Sequence, residues 1–176
     1  MADRRLYDAI KGLYHFTDVR NLPLIREYGG LWSLEKLEEM GVEIPAPGGD
    51  EASQATDKAK EIHKYVHLCL LGKHPMEYRA RESGRLEKSV FLEIDREVLH
   101  DEGVKFVPGL ANTNGIPIHD LSEALESGIV DVGPLYQWIS WRLFPDVYER
   151  RVKAEKFEIL VPDFIPLERI KNLPNG

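Results

Sequence analysis

The chain has 176 residues, 43% of them hydrophobic and 30% charged, which suits one domain with a buried core and leaves too little for a second. With 30 acidic residues against 23 Lys and Arg, the net charge of −7 excludes a protein that meets nucleic acid or anionic lipid through its overall field. A single cysteine, Cys69, excludes an internal disulfide framework and fits a reducing, cytoplasmic setting. The opening MADRRLYDAIKG lacks a signal-peptide core, and no apolar run approaches membrane-spanning length, so no membrane partner is expected.

In chain order, Leu13–Phe16 predicts a strand. Asn21–Tyr28 predicts a helix with Asn21 as N-cap, Pro23 in the first turn and Gly29 past the end. Gly30–Trp32 reads as a short strand, after which Ser33 caps a helix that Gly41 stops. Gly41–Thr56, with its prolines and glycines, reads as a long loop, the kind that is usually functional or mobile. Lys64–Leu71 sets Val66, Leu68 and Leu70 against Tyr65, His67, Cys69 and Leu71, the pattern of a central strand covered on both faces. Pro75 opens a helix that Gly84 ends. Ser89–Ile94, Val104–Val107 and Phe157–Val161 are further strands, and Asp120–Ser127 and Leu135–Leu143 further helices. Pro108–Pro117 is irregular. The mixture is too uneven for a doubly wound sheet and gives an α+β fold.

Charge gathers in patches: Arg79, Arg81, Arg85 and Lys88 form one basic run, and Arg142, Arg150, Arg151, Lys153 and Lys156 another. Such runs are most often solvated faces. His15 and Thr17 share one face at a strand end, a common place for binding groups and equally for a satisfied histidine. His63, His67 and Cys69 also alternate onto one face, but no CxxC or HxxxH accompanies them, so packing is expected and no metal site. Burial in an apolar strand raises the Cys69 pKa and hides the thiol. Phosphate-cradling glycine motifs and GxSxG are absent. Glu158 stands inside an apolar strand. Such a carboxylate lines a cavity, pairs with a base across the sheet, or points outward from an edge strand, and the residues alone leave all three open.

Four segments in order resemble one family. LYHFTDVRNLPLIREYGGLWS resembles the opening of the DarT family, NAD-dependent ADP-ribosyltransferase toxins that modify DNA bases. YVHLCLLGKHPMEYRARESGR is similar to its central strand and following helix, SVFLEIDREVLHDEGVKFVPGLANTNG to its next strand and DNA-facing loop, and FEILVPDFIPLERI to the strand holding its catalytic glutamate. The resemblance implies one ADP-ribosyltransferase-like domain over 1–176, with a central split β-sheet and short flanking helices. It implies that His15 and Thr17, with the Phe16 backbone, hold the ribose and nicotinamide amide of NAD, and that Leu24 and Trp32 wall the nicotinamide pocket. Tyr65 or Tyr78 would supply an aromatic face. Glu158 would be catalytic beside His15, with Glu155 in reserve. Asn112 would face the acceptor base. The candidate nucleic-acid surface joins the Pro108–Pro117 loop to the basic residues Arg79, Arg81, Arg150 and Arg151. In thymidine-modifying members an arginine stands in the long loop before the central strand; here none occurs between Arg26 and Arg79, and Gln54 stands roughly in its place. Single-stranded DNA as acceptor and a macrodomain antitoxin as partner follow from the same resemblance. A protein- or RNA-directed transferase, or a non-catalytic NAD or nucleic-acid binding module, are the alternatives.

Overall fold

A computed structural model describes residues 4–175; residues 1–3 and 176 of the expected domain lie outside the described residues. Helix α1 (Arg4–Ala9) precedes strand β1 (Tyr14–Asp18). Helix α2 (Leu22–Glu27), strand β2 (Gly30–Trp32) and helix α3 (Leu34–Glu39) follow, the last capped by the Ser33 hydroxyl as its sequence predicts. After α4 (Glu51–Ala59) come β3 (Tyr65–Cys69), α5 (Pro75–Glu82), β4 (Ser89–Glu93) and β5 (Lys105–Val107). The chain closes with β6 (His119–Asp120), α6 (Leu121–Glu126), α7 (Pro145–Ala154), β7 (Glu158–Pro162) and β8 (Phe164–Pro166).

Six strands form one sheet in the order β4-β1-β3-β7-β5-β6, and β2 pairs with β8 beside it. Every pairing is antiparallel. Alternation sorts the side chains. Val66 and Leu68 of β3 and Ile159 and Val161 of β7 enter the main core with α1, α2 and α6. Each fully buried aliphatic side chain there contributes about 1.5–3 kcal/mol. Leu160 turns the other way, into a small cluster with Ile62, Val107 and Ala111, and Glu158 shares its side of the strand. The second face of β3 is therefore not a second core, as its apolar pattern suggests, but carries Tyr65, His67 and Cys69 to a cavity.

The sheet is split between its second and third strands. β1 runs paired with β4 along all five residues, yet meets β3 only through Tyr14↔Cys69. Asp18 closes the end of β1: its buried carboxylate accepts from the Arg20 guanidinium at 2.8 Å and from the backbone N–H groups of Glu87 and Lys88 at 2.7 and 3.1 Å. The Arg20 fork and those N–H groups hold the Asp18 carboxyl well below the usual carboxylate range.

Three local expectations are corrected. The second half of the expected loop Gly41–Thr56 enters α4, which Asp50 caps by accepting from Ser53 N at 2.8 Å. None of the helix's residues is buried, so it has no apolar stripe for periodicity to reveal. No helix spans Leu135–Leu143. A tight 3-10 turn covers Gly133–Tyr136, Trp138 stands fully exposed, and the helix begins later at Pro145, whose fixed φ suits a first helical position. Asn21 makes no side-chain cap. Its amide is used elsewhere.

Candidate active site

Beyond Tyr14 and Cys69, β1 and β3 part, and a cavity of about 260 Å³ occupies the gap. β1, β3 and β7 form its floor, and Leu24 of α2, Trp32 of β2 and Gln54 and Asp57 of α4 line it above them. Asn112, from the loop between β5 and β6, closes one end.

Glu158 sits at the floor, on an interior strand rather than an edge. Its Oε1 lies 3.2 Å from His67 Nδ1, and its Oε2 accepts from Ala111 N at 2.5 Å. His67 Nε2 faces the Ile62 carbonyl at 3.1 Å. Both imidazole nitrogens thus face acceptors, which fits only the doubly protonated ring. Burial disfavours that cation, but the Glu158 carboxylate outweighs it and lifts His67 to about 8. Burial likewise opposes the Glu158 charge, and the bond from His67, with the nearby His74 and the Ala111 N–H, overcomes it, so its carboxyl is held down and ionised. The carboxylate both lines a cavity and pairs with a base across the sheet.

His15 donates from Nδ1 to the His67 carbonyl at 3.0 Å across the gap that strand pairing leaves. Burial lowers its pKa, so the ring is neutral and Nε2 keeps a lone pair for a ligand. Thr17 is oriented by Asn21, whose Nδ2 donates to the Thr17 hydroxyl at 3.0 Å and leaves that O–H free to donate. The same Nδ2 donates to Ala46 O at 2.7 Å while Oδ1 accepts from Ala46 N at 2.9 Å. Asn21 therefore pins the segment before α4 over the cavity instead of capping α2. Trp32 is fixed by stacking on Phe164, with centroids 3.9 Å apart, and by donating to Tyr28 O at 2.8 Å.

His15, Phe16, Thr17, Leu24, Trp32, Gln54, Tyr65, Asn112 and Glu158 all line this one cavity. Gln54 lies on α4 rather than in a loop and donates to Gly49 O at 3.0 Å. Tyr78 is not brought in: it is 56% exposed on α5, beneath the Arg81 guanidinium. Arg150 and Arg151 also stand apart, on α7. Arg150 grips Asp131 with two bonds of 2.7 Å, and Arg151 donates to the Pro134 and Leu135 carbonyls and to Glu155. Glu155, the reserve carboxylate, pairs with Lys73 and Arg151 and does not line the cavity. Burial pushes the Cys69 thiol up to about 12, so it is no nucleophile.

Sequence reasoning missed His67, Asp57, Asn21 and the Ala111 N–H. Alternation alone placed His67 on the Cys69 face; the missing datum was the register Cys69↔Glu158, which sets His67 diagonally across from the glutamate. A backbone N–H leaves no sequence signal at all.

Solved structures share this fold. Thermosipho africanus DarTG in complex with ADP-ribose aligns with a TM-score of 0.70 at 18% identity, covering 91% of this chain and 42% of that one. Thermus sp. 2.9 DarT in complex with ADP-ribosylated ssDNA gives 0.66 at 19% identity, covering 92% and 79%. The same protein in complex with NAD+ gives 0.58 at 19%, covering 92% and 80%. The chain spans less than half the length of the Thermosipho protein and about four-fifths of the Thermus one. No curated protein sequence matches it significantly. The family model described as ssDNA thymidine ADP-ribosyltransferase, DarT, matches residues 14–173, and the chain belongs to the DarT family. Among the described residues, no helix is long and apolar enough to cross a membrane, and no group of three or more His, Cys, Asp or Glu is placed to hold a metal ion.

Proposed function

We propose that this chain transfers ADP-ribose from NAD to a thymine base of single-stranded DNA, releasing nicotinamide. The observation that carries the reading is an ionised Glu158, held by His67 and the Ala111 N–H, on the floor of a cavity whose walls suit a nicotinamide riboside. Breaking the nicotinamide–ribose bond leaves positive charge on the sugar, as in glycoside transfer. A preorganised carboxylate stabilises that charge where water is excluded. Lone pairs left on Glu158 also accept from a ribose hydroxyl and fix the sugar for attack.

His15 Nε2 and the Thr17 hydroxyl take the ribose and the nicotinamide amide, with Phe16 between them. Leu24, Trp32 and Tyr65 cover the aromatic ring, and Gln54 borders it from α4. Asn112 orients the acceptor base. Arg150 lines a second cleft with Lys153 and Lys156, on the far side of the same loop, and offers phosphate contacts there. Arg151 holds the end of that helix in place. No arginine or lysine lines the cavity among the described residues, and its one imidazolium, His67, is spent on Glu158, so base choice rests on the other neutral and anionic groups.

The matched stretch supports reading 1–176 as one transferase domain. NAD supply, a DNA target and a single cysteine support a cytoplasmic location. The family resemblance supports a macrodomain antitoxin as its partner. Mass spectrometry of thymine-, guanine-, adenine- and cytosine-containing oligonucleotides incubated with NAD tests the reading: the expected product is one ADP-ribose on the thymine oligonucleotide. An adduct on guanine instead moves the acceptor. NAD loss without a DNA adduct brings the protein- or RNA-directed transferase forward, and no NAD loss at all the non-catalytic module.

A further inference from the structure

Attaching ADP-ribose to thymine displaces a proton. In DNA the ring N1 carries the deoxyribose, so N3–H is the only ring proton available to leave. The C1–nicotinamide bond breaks with its electron pair going to nicotinamide, the base nitrogen's pair forms the new bond to C1, and the N3 proton goes to a general base. The proton must pass to solvent or to a positioned side chain, and a positioned base speeds its departure.

Most titratable groups lining the cavity are already committed. His67 carries protons on both nitrogens, each facing an acceptor. His74 spends its Nδ1 lone pair accepting from Met76 N, where it caps α5. Glu158 is held ionised by one partner on each oxygen, and its remaining lone pairs go to the ribose hydroxyl. Cys69 is a buried thiol, and Tyr28 and Tyr65 present phenol O–H donors. His15 is neutral, but its Nδ1 bond to the His67 carbonyl aims the ring at the ribose end.

Asp57 remains. Among the described residues its side chain has no hydrogen bond or ion pair, yet it lines the cavity on the same face of α4 as Gln54, one turn on. One further turn along, Lys60 binds the carbonyls of Ala111 and Thr113 at 2.5 and 2.7 Å. The polar face of this helix therefore runs from the NAD wall to the acceptor loop, and Asp57 stands between the two. We infer that Asp57 is the general base that takes the N3 proton of the acceptor thymine; this rests on the DNA-directed reading above.

Its surroundings favour that task. Burial raises the Asp57 carboxyl and Glu158 adds to this, against His67 of β3 and Lys60 and His63 from the segment leaving α4. Two carboxylates in one cavity are thus pushed apart: Glu158 is held ionised to meet the cationic sugar, and Asp57 is made more basic. With no cavity arginine to stabilise a thymine anion, a carboxylate base removes the need for one.

The test is single-turnover transfer to a thymine oligonucleotide from pH 5 to 9, with NAD affinity measured alongside, for the parent, Asp57→Asn and Asp57→Glu. Asp57→Asn is expected to slow transfer by about 10²–10⁴-fold at pH 7 while NAD affinity stays within about twofold. Its residual rate should climb with hydroxide across the range, in place of the parent's carboxylate-controlled limb. Asp57→Glu is expected to recover transfer to within about tenfold of the parent. Parent-like transfer and pH profile in Asp57→Asn overturn the assignment, as does a loss of NAD affinity equal to the loss of rate. An adduct formed by the parent but equally by Asp57→Asn sinks this inference alone; no adduct from the parent sinks the DNA-directed reading and this inference with it.

Discussion

His67 Nδ1 lies 3.2 Å from Glu158 Oε1, so one imidazolium neutralises the carboxylate of the cavity floor and fixes its direction. Two strands that are apolar toward the main core meet on their other face through this one charged pair. Truncating either partner leaves a buried charge uncompensated, which costs more than the pair itself contributes.

Glu158→Gln keeps the shape and removes the charge. NAD binding should persist, while transfer falls by roughly a hundredfold or more, the scale of losing one preorganised electrostatic group. Glu155→Gln, remote from the cavity, should leave transfer unchanged. Steady-state kinetics on both variants checks this, and equal losses would contradict the placement of catalysis at Glu158.

The His67–Glu158 pair gives stability a pH signature. His67 is raised in the folded protein, so its contribution is full below its ordinary value of 6.5 and fades as pH rises through about 8. Glu158 is lowered, so its contribution is present above its ordinary 4.5 and is lost as pH falls toward the folded value. Between pH 6.5 and 8.5 the unfolding free energy should fall by on the order of 2 kcal/mol. His67→Gln should abolish that slope. His15 and His74 are lowered and act in the opposite sense below this window, whereas Cys69 adds a slope only above it. Urea unfolding at half-unit pH steps is the measurement.

Asn21→Ala should release the segment at Ala46 and free the Thr17 hydroxyl together. Leaving buried backbone groups unpaired costs about 1–3 kcal/mol, and NAD affinity should drop by about tenfold as the cavity roof loosens. Thr17→Ala should weaken NAD binding with a smaller stability change. Calorimetric titration and chemical unfolding separate the two effects, and an unchanged NAD affinity in Asn21→Ala would show that the roof does not touch the co-substrate.

The acceptor surface predicts two kinds of loss. Arg150→Ala should weaken DNA uniformly across sequences and flatten the salt slope by about 0.7, the increment for one phosphate contact on a single strand. Asn112→Ala should alter transfer or base preference with the slope intact. Affinity measured from low to high salt distinguishes them; a flat response in both would move the DNA path off this loop.

How much of this was legible follows from what each signal encodes. β3 showed through alternation, β7 through its apolar run and α3 through its serine cap, since all are written in side chains. The helix α4 was not, because a helix with no fully buried residue has no apolar stripe, and yet it carries Gln54 and Asp57. Glu158 stood out as a charge among apolar neighbours. His67 did not, because its partner depends on register across two strands separated by most of the chain. Tyr78 looked equivalent to Tyr65 until the structure set one on an exposed helix and the other on the cavity face.

The single pair Tyr14↔Cys69 has a consequence for how the pocket opens. A slot made by two strands that stop pairing needs no lid to move, because the vacancy is part of the topology. The backbone edge of β1 beyond Tyr14 has no partner strand on its β3 side, so a ligand lying there takes the place of a missing rung. Amide hydrogen exchange at Phe16, whose N–H faces the slot while Thr17 pairs with β4, then becomes a direct gauge of occupancy, slow when the slot is filled and fast when it is empty.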